Sequence, residues 1–381
     1  MKLFLSAGEP SGDLHGANLI RSLRTRLPLI QIRGFGGPRM EAAGAQLNYH
    51  LTEFAVMGFS RVIRHLPTFF RLADLAENHF RYEKPDALVL IDYPGFNFHL
   101  GRRAHALGIP VYYFVPPQLW AWRRGRVRQV RKWCSCVLTA LPFEDDWYRQ
   151  HGVTTEYIGH PYFDELAHQQ LDCDFLAQQQ SQSGRIVGLL PGSRDQEVSA
   201  NFAMMLEAAK RIHSNCPDTR FLVAAFNQRH ASDLAQFVQG HRLPIEIHTG
   251  RTPEVIQLST ACIAVSGSVS LELMFRAKPT VIVYRMAPLA LWLARRLVKL
   301  RYFTLVNLLA NEEIFPEIAT SCDESERIVA HLMDWLTDPV GYTRLVNQIC
   351  QLRDRFARPG ACAHAADFLL RSVQMKRQHA A

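Results

Sequence analysis

Two short segments of the 381-residue chain carry residue types suited to gripping a phosphate. The first is Pro191-Gly192-Ser193-Arg194, which follows the apolar run RIVGLL and leads into a polar helix start through Glu197. Gly192 allows close backbone approach, the amides and positive dipole end of the following helix favour an anion, and Arg194 adds a guanidinium that can grip it bidentately. An ordinary βα turn with a solvent-facing arginine is the other use of the same residues. The second segment is SGSVSLE at 266–272. Ser266, Gly267 and Ser268 are placed to cap a helix, and Glu272, one turn in, has the reach to bind ribose hydroxyls. Both turns close buried strands of one sheet, where open α/β folds bind ligands, so together they describe a nucleotide-diphosphate pocket. A candidate base lies in the other half of the chain. Asp92 ends the run Leu88-Val89-Leu90-Ile91 and precedes a Pro-Gly turn. Its carboxylate can take a proton from a sugar hydroxyl or simply cap the turn. Glu9 in SAGEPSGD is a second acid near the expected cleft, and Asp13 is expected to cap a helix starting at Leu14.

Positioning these residues requires two series of buried strands alternating with helices. KLFLSA, QIRGFGG, ALVLID, PVYYFVP, CVLTALP and TEYIGHP form the first, and RIVGLLP, RFLVAAF, IEIHTG, ACIAVSG and PTVIVYR the second. Apolar runs without polar alternation read as strands covered on both faces, so each series predicts a mostly parallel α/β sheet. The predicted organisation is a first Rossmann-like domain over 1–170, a polar Gln/Ser-rich connection over 171–184, and a second Rossmann-like domain over 185–345. Helices over 346–381 pack back on the first domain or remain with the second, and the two domains face a cleft.

Composition agrees with a globular two-domain chain: 48% hydrophobic and 20% charged residues. A net charge of +8 suggests anionic company, whether phosphorylated substrate, nucleic acid or acidic membrane. The eight cysteines lack paired C-x-x-C spacing and read as reduced core residues of a reducing compartment. No run approaches the roughly 20 apolar residues that span a bilayer, and Met1–Leu5 is too short for a signal segment.

Several further segments have two readings. WAWRRGRVRQVRKW at 120–133 interleaves Arg123, Arg124 and Arg126 with tryptophans, a pattern that suits nucleic acid, lipid phosphate or a plain solvated helix. PLALWLARRLVKLRYF at 288–303 has an interfacial-helix composition, or forms a core helix with snorkelling cations. The run 54–66, with Arg61 and Arg64, is either core or a second docking face. Asp172-Cys173-Asp174 has D-x-D spacing but follows no buried strand and reads as solvated linker. Glu144-Asp145-Asp146 reads as the acidic first turn of a helix. His15 and His160, in tight turns, read as structural.

Taken together, SAGEPSGDLHGA, GGPRMEAAG, FAVMGFSRV, LIDYPGFN, PQLWAWRRGRV, LPFE, YIGHP, LLPGSRDQEV, SGSVSLE, VYRM, WLARRLVK and LVNLLA, in this order over nearly the whole chain, resemble the lipid-A-disaccharide synthase family. The resemblance implies a GT-B fold and an inverting glycosyl transfer with neither metal nor cofactor. It implies UDP-2,3-diacylglucosamine as donor and 2,3-diacylglucosamine 1-phosphate (lipid X) as acceptor. It makes Asp92 the essential base and puts Glu9, Ser11, Gly12, Gly192, Ser193, Arg194, Ser266, Gly267, Glu272 and Asn307 among the substrate-binding residues. Arg123, Arg124 and Arg126 then become membrane or lipid-phosphate contacts of a cytoplasmic enzyme peripheral to the inner membrane, with no nucleic-acid partner and homo-oligomerisation left open. Where the family usually carries a second Asp this chain has Gly95, so Asp92 is expected to act alone. The rival readings are a UDP-N-acetylglucosamine 2-epimerase-like enzyme and a basic nucleic-acid-binding protein.

Overall fold

The computed structural model describes residues 1–52, 66–298 and 300–380. The FAVMGFSRV motif, the run 54–65 with Arg61 and Arg64, and Lys299 therefore lie outside the described residues. The chain forms two compact units, one of Met1–His168 with Arg358–Ala381 and one of Gln169–Ala357.

The first unit is built on a seven-stranded sheet of order β3-β2-β1-β4-β5-β6-β7. Its strands are β1 (Lys2–Ala7), β2 (Gln31–Gly36), β3 (Gln46–His50), β4 (Ala87–Ile91), β5 (Val111–Phe114), β6 (Cys136–Thr139) and β7 (Thr155–Tyr157). All pairings are parallel. The central strands are apolar on both faces because helices cover both. Leu3 and Leu5 of β1 join a core with Leu19, Ile20 and Leu23 of the helix Pro10–Arg26 and Leu369 and Val373 of the helix Ala361–Ala380. Phe4, on the opposite face, packs edge-on against Phe35 and Phe80.

The second unit repeats the plan with six parallel strands in the order β10-β9-β8-β11-β12-β13. They are β8 (Arg185–Leu190), β9 (Thr219–Ala225), β10 (Ile245–Thr249), β11 (Ala261–Val265), β12 (Thr280–Arg285) and β13 (Glu317–Thr320). In each unit the strand order reverses beside the first strand: between β1 and β4, and between β8 and β11. Open parallel sheets bind ligands at such a switch point, beyond the carboxyl ends of the strands. The segments after β1, β4, β8 and β11 carry most of the candidate residues; Arg123, Arg124 and Arg126 follow β5, and Asn307 precedes β13.

Three segments depart from the sequence reading. Residues 171–184 are not a free connection. Cys173–Gln180 is a helix of the second unit, started by Asp172, whose carboxylate accepts from the Phe175 amide at 2.9 Å and pairs with Arg251 at 2.6 Å. The helices over 325–356 stay with the second unit, and only Ala361–Ala380 returns to the first. The cysteines are all free, but Cys173 and Cys322 are exposed rather than in the core.

Candidate active site

Asp92 and Tyr93 follow β4 in consecutive left-handed conformations, φ 45° and 47°. Non-glycine residues adopt this region at a cost of roughly 1 kcal/mol or more each, so surrounding contacts must hold them there. The Asp92 carbonyl accepts hydrogen bonds from Asn97 Nδ2 at 2.8 Å and from the Tyr113 hydroxyl at 2.8 Å. Asn97 is fully buried and also donates to the Ile91 and Ser6 carbonyls, while its Oδ1 accepts from the Ser6 hydroxyl at 2.7 Å. The Asp92 amide donates to the carbonyl of Val115, itself left-handed at φ 51°. Gly8 closes the other side. A Cβ there would lie 2.1 Å from Tyr93 Cδ1, so the aromatic ring needs a glycine beneath it.

The result is a partly buried carboxyl aimed by its backbone. Burial, reinforced by the neighbouring Glu9 carboxylate and opposed by the Tyr93 amide, pushes Asp92 from its usual 3.8 up to about 7. A base with that affinity accepts a proton near neutrality and still exists largely as carboxylate above it. Glu9 occupies the N-cap position of Pro10–Arg26, with Ser11 exposed and Gly12 buried in the first turn behind it. Asp13 does not start a helix at Leu14. It is already inside Pro10–Arg26 and caps the next helix instead, accepting from the amides of Gly37, Arg39 and Met40 at 2.9–3.0 Å. Gly95 is exposed and a Cβ there meets nothing within 4 Å.

In the second unit Gly192 turns the chain after β8 with φ +107°, a conformation that favours glycine. Ser193 is exposed, and Arg194 forms the N-cap of the 21-residue helix Asp195–Asn215. The Arg194 Nη1 rests 2.8 Å from Glu197 Oε1, which also accepts from the Tyr284 hydroxyl at 3.1 Å. Glu197 is thus the seat of the arginine, a role with no signal in the sequence beyond its spacing. After β11, Ser266 is half-buried and Gly267 and Ser268 are exposed at the start of the helix Val269–Phe275. Ser268 makes no side-chain cap; the nearest such contact is Ser270 Oγ donating to the Gly267 carbonyl at 2.8 Å.

Two candidates are spent inside the fold. Glu272 is buried and paired with Arg276 at 3.0 Å, so a reach to ribose hydroxyls would require breaking a buried pair. Asn307 is fully buried, donates to the Phe315 carbonyl and Glu317, and accepts from the Ile314 and Phe315 amides. It fixes the loop before β13 and has no capacity left for a substrate. Glu144 also differs from a surface acid. Buried behind Trp120, it accepts from the indole at 3.1 Å and from the Ala140 amide, and burial pushes it up to about 8. Arg123 and Arg124 are exposed and Arg126 half-exposed, with Arg123 over Trp122 and Arg126 over Phe98. Among the described residues no three His, Cys, Asp or Glu side chains cluster as metal ligands would, and no helix is long and apolar enough to cross a membrane.

Two parallel Rossmann-like units with loops at both switch points define the GT-B class, and solved structures share it. The chain matches a UDP-N-acetylglucosamine 2-epimerase from Neisseria meningitidis bound to UDP-GlcNAc (TM-score 0.68, 12% identity, 97% of this chain and 100% of that one). It also matches Acinetobacter baumannii MurG (TM-score 0.60, 12% identity, 97% and 99%). Such distant likenesses fix the fold alone. Sequence decides the family: residues 3–359 match the lipid-A-disaccharide synthetase family. Proteins named lipid-A-disaccharide synthase from Trichlorobacter lovleyi (34% identical, 98% of both chains) and Pseudomonas putida KT2440 (34%, 96% of both) align end to end. The chain belongs to the lipid-A-disaccharide synthase family and is a glycosyltransferase.

Proposed function

We propose that the protein transfers 2,3-diacylglucosamine from its UDP donor to lipid X with inversion, giving a β-1,6-linked disaccharide 1-phosphate and UDP. The observation that carries this reading is Asp92: a strained, partly buried carboxyl with its affinity for protons raised to about 7. The acceptor's 6-hydroxyl attacks the anomeric carbon while Asp92 takes its proton. A carbon–oxygen bond forms to the acceptor, the bond to the β-phosphate breaks, and the electron pair leaves on UDP. Charge grows on the β-phosphate oxygens, where the amides of Gly192 and Ser193 and the Arg194 guanidinium supply compensating positive charge. Ser266 and Gly267 complete the donor subsite, with Glu9, Ser11 and Gly12 beside the acceptor. Glu272 and Asn307 act from behind as positioning residues.

Both sugars carry acyl chains, so the enzyme works at the surface of an anionic membrane, peripheral to its cytoplasmic side, with Arg123, Arg124 and Arg126 available to lipid phosphates. Incubating the purified protein with donor and acceptor should give one UDP per disaccharide and no UDP from donor alone. Acceptor-independent release of UDP, or interconversion of UDP-N-acetylglucosamine at C2, would instead establish the epimerase chemistry of the structural relatives.

A further inference from the structure

Helix Pro288–Leu297 is set on the second unit by one buried leucine, Leu291, and turns its other large apolar side chains outward. Leu289, Trp292, Leu293 and Leu297 are 75%, 54%, 48% and 64% exposed. Their spacing of three, four and eight residues from Leu289 puts all four on one stripe of the helix. Single exposed apolar residues are ordinary, but four on one stripe of a ten-residue helix are not. The stripe has its own cations. Arg296 lies on it and stacks on Trp292 at 5.0 Å, Arg295 is exposed at its flank, Arg301 follows just beyond, and the helix contains no acidic residue. The core-helix reading of this segment fails because the apolar side chains point away from the core.

We propose that this helix docks the protein on an anionic phospholipid bilayer, lying in the interface with Trp292 and the leucines in the acyl boundary and the arginines among the phosphates. The proposal rests on the reading that the substrates are acylated sugars drawn from a bilayer. Charge decides the occupant: an apolar stripe on a helix whose charged residues are both arginines matches anionic headgroups over a neutral apolar partner, and the amphipathic pattern is that of interfacial helices. The site lies in the donor-holding unit, immediately after β12, and is independent of the 120–133 stretch.

The test is sedimentation of the full chain with phosphatidylcholine vesicles with and without phosphatidylglycerol, at low and high salt. Wild type should bind the anionic vesicles, release them in high salt, and show a blue shift of tryptophan emission that Trp292→Phe removes. Leu289→Ser with Leu293→Ser and Leu297→Ser should weaken binding at least about tenfold. Arg295→Gln with Arg296→Gln, which leaves the stripe intact, should weaken it about fivefold for each charge. Equal binding to neutral and anionic vesicles, unchanged binding by both variants, or a concentration-dependent dimer that the leucine variant abolishes would overturn the proposal. Disaccharide formation from detergent-dispersed substrates, followed in parallel, should persist in both variants. A protein that binds vesicles but makes no disaccharide would overturn the assigned reaction and leave the docking site standing.

Discussion

At the scale of the residue, Asp92 combines strain with an unfavourable charge, and both have measurable consequences. Ionised Asp92 is disfavoured in the native state, so the native protein binds more protons than the unfolded chain between about 4 and about 7. Its contribution therefore favours folding at low pH and is lost as the pH rises through about 7. Asp92→Asn removes that penalty. The variant should lose about 100-fold or more in turnover yet melt higher than wild type at pH 8, with little difference at pH 4, as thermal unfolding at the two pH values will show. For the wild type, turnover should rise with pH through about 7 as the base loses its proton. Gly95 offers a complementary test because an added side chain meets only open space. Gly95→Asp puts a second carboxylate in the first turn of Pro94–Ala106, where the dipole favours it by about 0.5 kcal/mol. The same charge, three residues from Asp92, should move the pH–rate limb to higher pH. An unmoved limb would mean that residue 95 does not sense the base.

At the scale of the element, each candidate loop is held between a strand and a helix. Arg194 stands on the N-cap of a long helix, and its partner Glu197 lies in that helix's first turn. Arg194→Ala should weaken UDP binding by about 2 kcal/mol, the worth of a charged hydrogen-bond pair. Lysine should recover little of it, since it lacks the planar fork. Titration calorimetry with UDP measures both. Asn97→Ala should lower stability by roughly 1–3 kcal/mol by leaving the Ser6 hydroxyl and buried carbonyls unpaired, and should depress turnover by freeing the Asp92 backbone. A denaturant melt and a turnover assay on the same preparation separate the two effects. The strands behind these loops were legible as sequence because their burial on both faces leaves continuous apolar runs. Of the four edge strands, β7 and β10 were legible but β3 and β13 were not: QLNYH and EIAT are short and keep polar residues. The position of Asp92 at the end of a buried strand was legible from LVLI, but the side chains that hold it were not, because Asn97 and Tyr113 become its partners only through the fold. Glu272 and Asn307 mark the opposite limit, since spacing places a side chain on an element without revealing that buried partners already occupy it.

At the scale of the whole molecule, the chain leaves the second unit at Ala357 and completes the first with Ala361–Ala380. That helix supplies Cys362, Ala365, Ala366, Leu369 and Val373 to the first unit's core. Asp164 anchors its start by accepting from the amides of Ala361 at 3.1 Å and Cys362 at 2.7 Å, and Arg26 pairs with Asp367 further along. His15, near the same Asp164, meets His160 with rings edge-on and centroids 5.9 Å apart. Burial lowers His15 from 6.5 to about 4, with Asp164 acting weakly in the other direction, and burial with His15 lowers His160 to about 3. Here the sign is opposite to that of Asp92. The unfolded chain takes up protons below about 6.5 that the native pair refuses, so the stability they contribute is present above that pH and is lost as the pH falls toward 4. At pH 5 the loss is on the order of 2 kcal/mol or more relative to pH 7.5, and it should strike the first unit, undocking the C-terminal helix first. Hydrogen exchange at the two pH values should show protection falling across Ala361–Ala380 while β8, β9 and β11 keep theirs. His15→Gln with His160→Gln should flatten the pH dependence whatever it does to absolute stability. A double variant with the wild-type slope would transfer the acid sensitivity to other groups.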